Sequence, residues 1–175
     1  CISSQLTKLH SFKFAPLRNN HQILSMTNYQ RWNNIIGWII FAIAAVTYVS
    51  TLEPTASFWD CGEYIATSYR LEVGHPPGAP TFLLVGRLFS MFAAPENVAY
   101  MVNLISALSS AFTILFLFWT ITALALKIFK LKNEDSDLEV GDQAAIFGSA
   151  IVGALAYTFS DTFWFSAEEG EVYAL

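Results

Sequence analysis

The chain has 175 residues, of which 54% are hydrophobic and 13% charged, far from the roughly 25% charge of an average soluble domain. With a mean hydropathy of +0.45, this is the composition of an integral membrane protein. A net charge of −5 without a clustered basic groove excludes a nucleic-acid partner, and two cysteines, Cys1 and Cys61, with no Cys/His ligand spacing exclude a disulfide framework and leave no structural zinc site to expect.

Residues 1–33 carry Lys8, Lys13, Arg18 and Arg31 and read as a basic, disordered cytoplasmic segment. The chain opens on Cys1, and Met26 lies shortly before the first apolar run, so residues 1–25 are expected to be either upstream sequence or a basic arm. Residues 34–52 are uncharged and near the ~20 residues a membrane helix needs, with Trp32 and Trp38 placed where indole rings favour the interface. Thr81–Ala94 is shorter, carries Arg87 and is framed by Pro80 and Pro95, which predicts an amphipathic helix lying in the interface, with a re-entrant segment as the alternative. A second span is expected over 99–128, uncharged between Glu96 and Lys127. The acidic run Glu134–Glu139 lacks the glycine and terminal glutamate of a calcium loop and reads as a solvated linker. A third span is expected over 143–165, where Gly148, Ser149, Ala150, Gly153, Ala154 and Ala156 would let helices approach closely.

Just beyond the first span, Phe58-Trp59-Asp60-Cys61-Gly62-Glu63-Tyr64 is followed by Gly74-His75-Pro76-Pro77-Gly78. Two carboxylates and an imidazole at a membrane boundary lose part of their hydration, which makes them a functional site by default. If 60–71 is helical, Asp60, Glu63, Tyr64 and Thr67 share one face with Arg70 at its edge, and Gly62, Ile65 and Ala66 form a packing face opposite. Structural roles stand beside these. Asp60 suits a helix N-cap, with Glu63 closing a capping box. His75 could brace a proline turn. Arg70 and Arg87 could snorkel to headgroups or bind a lipid phosphate, and Cys61 suits a small packing residue.

Lys and Arg set orientation. They crowd the N-terminal segment and, as Lys127, Lys130 and Lys132, the loop after the second span, whereas 51–97 holds only Arg70 and Arg87 and the tail after Ser160 none. Both acidic clusters, Asp60/Glu63 and Glu168/Glu169/Glu171, are thereby expected on the same non-cytoplasmic side. Carboxylates gathered there could remove a proton from an acceptor or position a cation or sugar. The residues alone also admit a transporter whose acids couple to protons or ions, and a scaffold with no chemistry.

The run from Phe58 to Ala66, continued by Leu71-Glu72-Val73-Gly74-His75-Pro76-Pro77-Gly78-Ala79-Pro80, resembles a Bacteroidetes membrane-protein family of formerly unknown function, related to endoplasmic-reticulum protein O-mannosyltransferases within the C-type glycosyltransferase superfamily. Glu168-Glu169-Gly170-Glu171-Val172-Tyr173-Ala174-Leu175 is similar to that family's second acidic motif. The resemblance implies an all-α, multi-pass helical bundle with interfacial helices in the first non-cytoplasmic loop, residues 34–175 being its N-terminal part, inactive as a fragment alone. It implies an inverting transferase moving a sugar such as mannose from a polyprenyl-phosphate donor to a protein or glycan acceptor, in a bacterial inner membrane or, in a eukaryote, the endoplasmic reticulum. Asp60 and Glu63 are the implied catalytic residues, with His75, Arg70, Glu171 and Tyr64 on the substrate. No metal ligand is assigned, and a divalent metal is left open as cofactor.

Orientation is tested by labelling. With Cys1 and Cys61 replaced by serine, a cysteine introduced at Ser136 is expected to resist an impermeant reagent added outside intact cells, and its modification there would reverse the topology.

Overall fold

The computed structural model describes residues 20–57, 60–76, 78–132 and 138–170, with side chains from Asn28 onward. Its order is α1 (Asn20–Thr51), α2 (Cys61–Arg70), α3 (Pro80–Ser90), a 3-10 turn (Pro95–Asn97), α4 (Val98–Lys132), α5 (Val140–Thr158) and α6 (Asp161–Glu168), the all-helical architecture expected. Among the described residues, three helices are long and apolar enough to cross a membrane: α1 from Asn28, α4 with its leading turn, and α5.

Each boundary follows from local chemistry. Helix α1 begins upstream of the anticipated residue 34, because no Pro or Gly interrupts the sequence between Asn20 and Ile36. Helix α4 has 35 residues, about 52 Å at ~1.5 Å per residue, so its ends project beyond a hydrocarbon core of about 30 Å. The expected third span is not continuous to residue 165. It stops at Thr158, passes through Phe159 and an extended Ser160, and restarts at Asp161. Ser and Asp compete for backbone hydrogen bonds and favour a new helix start over continuation, while Tyr48 donates its hydroxyl to the Thr158 carbonyl at 3.0 Å, satisfying an acceptor the broken helix leaves open. At the front of α5, Glu139 and Asp142 make a reciprocal capping box; residues 133–137 of the acidic linker lie outside the described residues.

Helix α4 is the axis against which α1, α5, α2, α3 and α6 all pack. Its seam is built from small residues. Ala44 of α1, Ala107 and Ala111 of α4, and Ala150 and Ala154 of α5 are fully buried, and with no hydrophobic drive between helices in lipid, close packing of this kind holds them together. Trp38, Val46, Phe116, Leu124 and Val152 face outward, the surface a bilayer accepts.

Helices α2 and α3 form a hairpin on the α4 flank. Phe82, Leu83, Val98, Val102 and Ile105 make its core, with Tyr64 edge-on to Phe82 at 5.6 Å between ring centres. Gly86 makes the close approach feasible: a Cβ there would stand 2.7 Å from Ser68 Cβ. The fully buried positions of α2 are Cys61, Thr67 and Ser68; of the anticipated packing face, Ile65 lies half-buried against the Phe82 core while Ala66 is exposed. Arg87 donates from Nη1 to the Tyr69 carbonyl and its guanidinium lies 5.6 Å over the Tyr69 ring, occupying a carbonyl of α2's last turn.

The outward side of α3 and its exit carries Leu84, Leu88, Met91 and Phe92, all exposed, as an interfacial helix requires. A fluorescent probe at Leu84 in vesicles is expected to be quenched most by lipids labelled near the headgroup. Strongest quenching by labels at the bilayer centre would mean that α3 crosses.

Candidate functional site

Two local structures bring the acids and the imidazole together. Helix α2 starts at Cys61 with Asp60 before it, and Asp60 makes no side-chain capping bond, so the capping-box alternative is not the one adopted. At the other end Leu71 takes the left-handed conformation (φ 53°, ψ 46°) and the Glu72 N–H donates to the Thr67 carbonyl at 3.0 Å, the Schellman closure of a helix. That reversal sends the chain back along α2. Gly74 then passes so near Glu63 that a Cβ would stand 2.9 Å from Oε1, and His75 arrives over the carboxylate.

His75 grips Glu63 twice. Its backbone N–H donates to Oε1 at 2.7 Å and its ring Nδ1 lies 2.8 Å from Oε2. Nε2 of the same ring is 3.7 Å from Asp60 Oδ2. Gly78 N–H closes the turn onto the His75 carbonyl at 2.9 Å. Ligand-capable atoms of Asp60, Glu63 and His75 all lie within 4.8 Å of one another, and the group opens to solvent. The His75 backbone N–H, then its ring, hold the Glu63 carboxyl below its ordinary range. The hydrogen bond and then the charge of Glu63, with Asp60 adding to them, raise the His75 imidazole.

A second constellation fastens this site to the bundle. Asn103, fully buried in α4, donates Nδ2 to the carbonyls of Glu53 at 2.8 Å and Thr55 at 3.0 Å, and its Oδ1 lies 3.6 Å from Cys61 Sγ. Ser57 donates to Glu169 Oε1. Glu169 is 4% exposed, and its Oε2 has no hydrogen-bond partner among the described residues. Trp164 Nε1 donates to Thr51 Oγ1 at 3.0 Å and to Glu168. The segment carrying Asp60 and the segment carrying Glu168 and Glu169 therefore meet at one end of the bundle.

Of the residues singled out in the sequence, Asp60, Glu63 and His75 converge. Tyr64 turns away to Phe82, Thr67 is buried with its hydroxyl on the Glu63 carbonyl at 2.7 Å, and Arg70 stands exposed, 3.9 Å from Glu72. Glu171, Phe58, Trp59 and Pro77 lie outside the described residues. Asn103 and Ser57 escaped the sequence reading, although a lone Asn in an uncharged apolar run is itself a signal, because polar side chains inside a membrane bundle are kept for a partner.

A family model described as the N-terminal domain of protein O-mannosyl-transferase TMEM260 matches residues 60–175. The mouse protein O-mannosyl-transferase TMEM260 is 30% identical over 136 residues, which is 78% of this chain and 17% of that protein. Its Dictyostelium discoideum namesake is 26% identical over 140 residues, 78% of this chain and 15% of that protein. The chain thus spans about a sixth of the length of these relatives. No solved structure matches it.

The Glu63–His75 contact has a defined pH window. A raised imidazole contributes stability in full below its ordinary pKa of 6.5 and loses it as pH rises through the raised value; a depressed carboxyl contributes above its ordinary 4.5 and loses it as pH falls through the lowered value. The contact is therefore at full strength between the two ordinary values. NMR titration of the His75 ring, assigned against a His75→Gln spectrum, is expected to give a midpoint above 6.5 that falls in Glu63→Gln; an unshifted midpoint in both proteins would deny the contact in solution.

Proposed function

The chain belongs to the protein O-mannosyl-transferase TMEM260 N-terminal domain family, and on that premise we propose that the full-length protein transfers mannose from a polyprenyl-phosphate donor to a hydroxyl of a protein or glycan acceptor. Support comes from one observation above the rest: Asp60 stands exposed at the mouth of the shared helix end, uncommitted to capping and 3.7 Å from an imidazole that Glu63 holds in place. In the transfer, the acceptor oxygen attacks the anomeric carbon as its proton passes to the Asp60 carboxylate. The bond from that carbon to the phosphate oxygen breaks, the phosphate leaves with the electron pair, and the configuration inverts. A phosphate leaving group needs no strong general acid, so one carboxylate suffices where glycosidases use two. His75, when protonated, would offset charge on the departing phosphate.

This chemistry is proposed for the non-cytoplasmic face, in a bacterial inner membrane or the endoplasmic reticulum, a reading that the Lys/Arg distribution supports. Transport fits less well. Coupling carboxylates belong at mid-membrane, whereas Asp60 and Glu63 sit on or beside α2, between the first two spans.

Asp60→Asn keeps size and most hydrogen bonding while removing the base, and is expected to cut transfer of labelled mannose by about 10²–10⁴ in membranes carrying equal amounts of full-length protein. Abundance should hold, since Asp60 makes no side-chain capping bond to lose. Near-wild-type transfer by the variant would remove Asp60 from the mechanism.

A further inference from the structure

We propose that Asp60 and His75 form a divalent-cation site in which Glu63 orients the imidazole. The tautomer is set by geometry. An ionised carboxylate only accepts hydrogen bonds, so the ring nitrogen 2.8 Å from Glu63 Oε2, Nδ1, carries the hydrogen, and in the neutral ring the lone pair lies on Nε2. The backbone bond from His75 to the other Glu63 oxygen, 2.7 Å, keeps the ring from swinging away. Nε2, with its lone pair, then stands 3.7 Å from Asp60 Oδ2, longer than a hydrogen bond.

That gap is the right size for a metal ion. Nitrogen and carboxylate ligands sit about 2.0–2.2 Å from an ion such as zinc, and two such bonds meeting at the tetrahedral angle separate their ligand atoms by about 3.4 Å, a few tenths of an ångström less than the gap present. A cation would therefore fit between Asp60 and His75 with little side-chain movement. Carboxylate, imidazole and metal in a row is the arrangement by which a carboxylate outside the coordination sphere fixes the ligating tautomer. Asp60 and His75 side chains are 56% and 47% exposed, so the remaining coordination positions open to solvent and take water or an anionic oxygen. Mixed imidazole and carboxylate donors suit manganese or zinc. If the transferase reading holds, the anionic oxygen is one of the donor phosphate, and ligation through Oδ2 leaves Asp60 Oδ1 to face the acceptor.

The rival occupant of the gap is a proton, giving an imidazolium between two carboxylates. Manganese separates the two. Full-length protein in phosphatidylcholine nanodiscs, without sugar donor, is titrated with Mn²⁺ and read by electron paramagnetic resonance. The expected result is saturable binding with a nitrogen coupling that changes when histidine is supplied as the ¹⁵N form. Asp60→Asn and His75→Gln should abolish that species, and Glu63→Gln should weaken binding about 10–100-fold, as loss of an orienting partner does. Absence of saturable binding, or bound Mn²⁺ without histidine-nitrogen coupling, overturns the proposal. The coupling is measured on the unmutated protein, so a variant that fails to fold does not blunt the test. No transfer enters this measurement. Failure to bind metal leaves the transferase reading intact, and wild-type protein that binds Mn²⁺ but transfers no mannose sinks that reading alone.

Discussion

The amide of Asn103 is the point on which the arrangement of this molecule turns. It projects from the first turns of α4 into a buried position, and there it holds the carbonyls of Glu53 and Thr55, lies beside the Cys61 thiol that opens α2, and is so close to Gly170 that a Cβ on that residue would stand 2.7 Å from Oδ1. Backbone that leaves a membrane helix must find partners for the carbonyls it exposes, each costing several kcal/mol if stranded in an apolar setting. One side chain supplies two of those bonds and sits against the chain segments that bear both acidic motifs. Asn103 is thus a keystone for the site without being a member of it.

From that fixed point the site follows by short steps. The 53–57 segment is pinned, so Asp60 and the start of α2 are pinned. The left-handed Leu71 folds the chain back over α2, and a residue of this kind in that conformation is an uncommon cost of roughly 1–2 kcal/mol, offset here by the Schellman bond to Thr67 and by the double bond of His75 to Glu63. The α3 side of the hairpin is locked separately, through Gly86 on Ser68 and Arg87 on Tyr69. Rigid support of this sort is what a chemical site needs, because geometry held to a fraction of an ångström decides whether a group acts.

Much of this was legible in the sequence, for physical reasons that also explain what was not. Long uncharged runs announce membrane helices because length and hydropathy alone decide insertion, and they located α1, α4 and the body of α5. Ends were less legible: the 20–33 stretch is helical because nothing forbids it, and the span expected to reach residue 165 breaks at Ser160 on a local competition that hydropathy ignores. Helical periodicity correctly put Asp60 and Glu63 together, yet it assigned Tyr64 and Thr67 to the same open face. Periodicity knows direction around one helix and nothing of the neighbours, here Phe82 and the core beneath α3, that claim a side chain. The contact of His75 with Glu63 spans twelve residues and depends on a left-handed leucine, which no propensity rule would place.

The two carboxylates at the start of α2 stand in different surroundings although they lie three residues apart. Glu63 has both oxygens bound to His75, and its acidity is strengthened by those bonds; a carboxylate so engaged is a poor base and a good orienting group. Asp60 accepts no side-chain capping bond from the helix it precedes and, among the described residues, has the far edge of the imidazole at 3.7 Å. Whatever enters the cleft, whether proton, cation or acceptor hydroxyl, meets Asp60 with a free coordination geometry and Glu63 with a filled one. That asymmetry is what the proposed division of labour rests on, with chemistry at the first acid and positioning at the second, and it arises because the left-handed turn at Leu71 returns His75 onto Glu63.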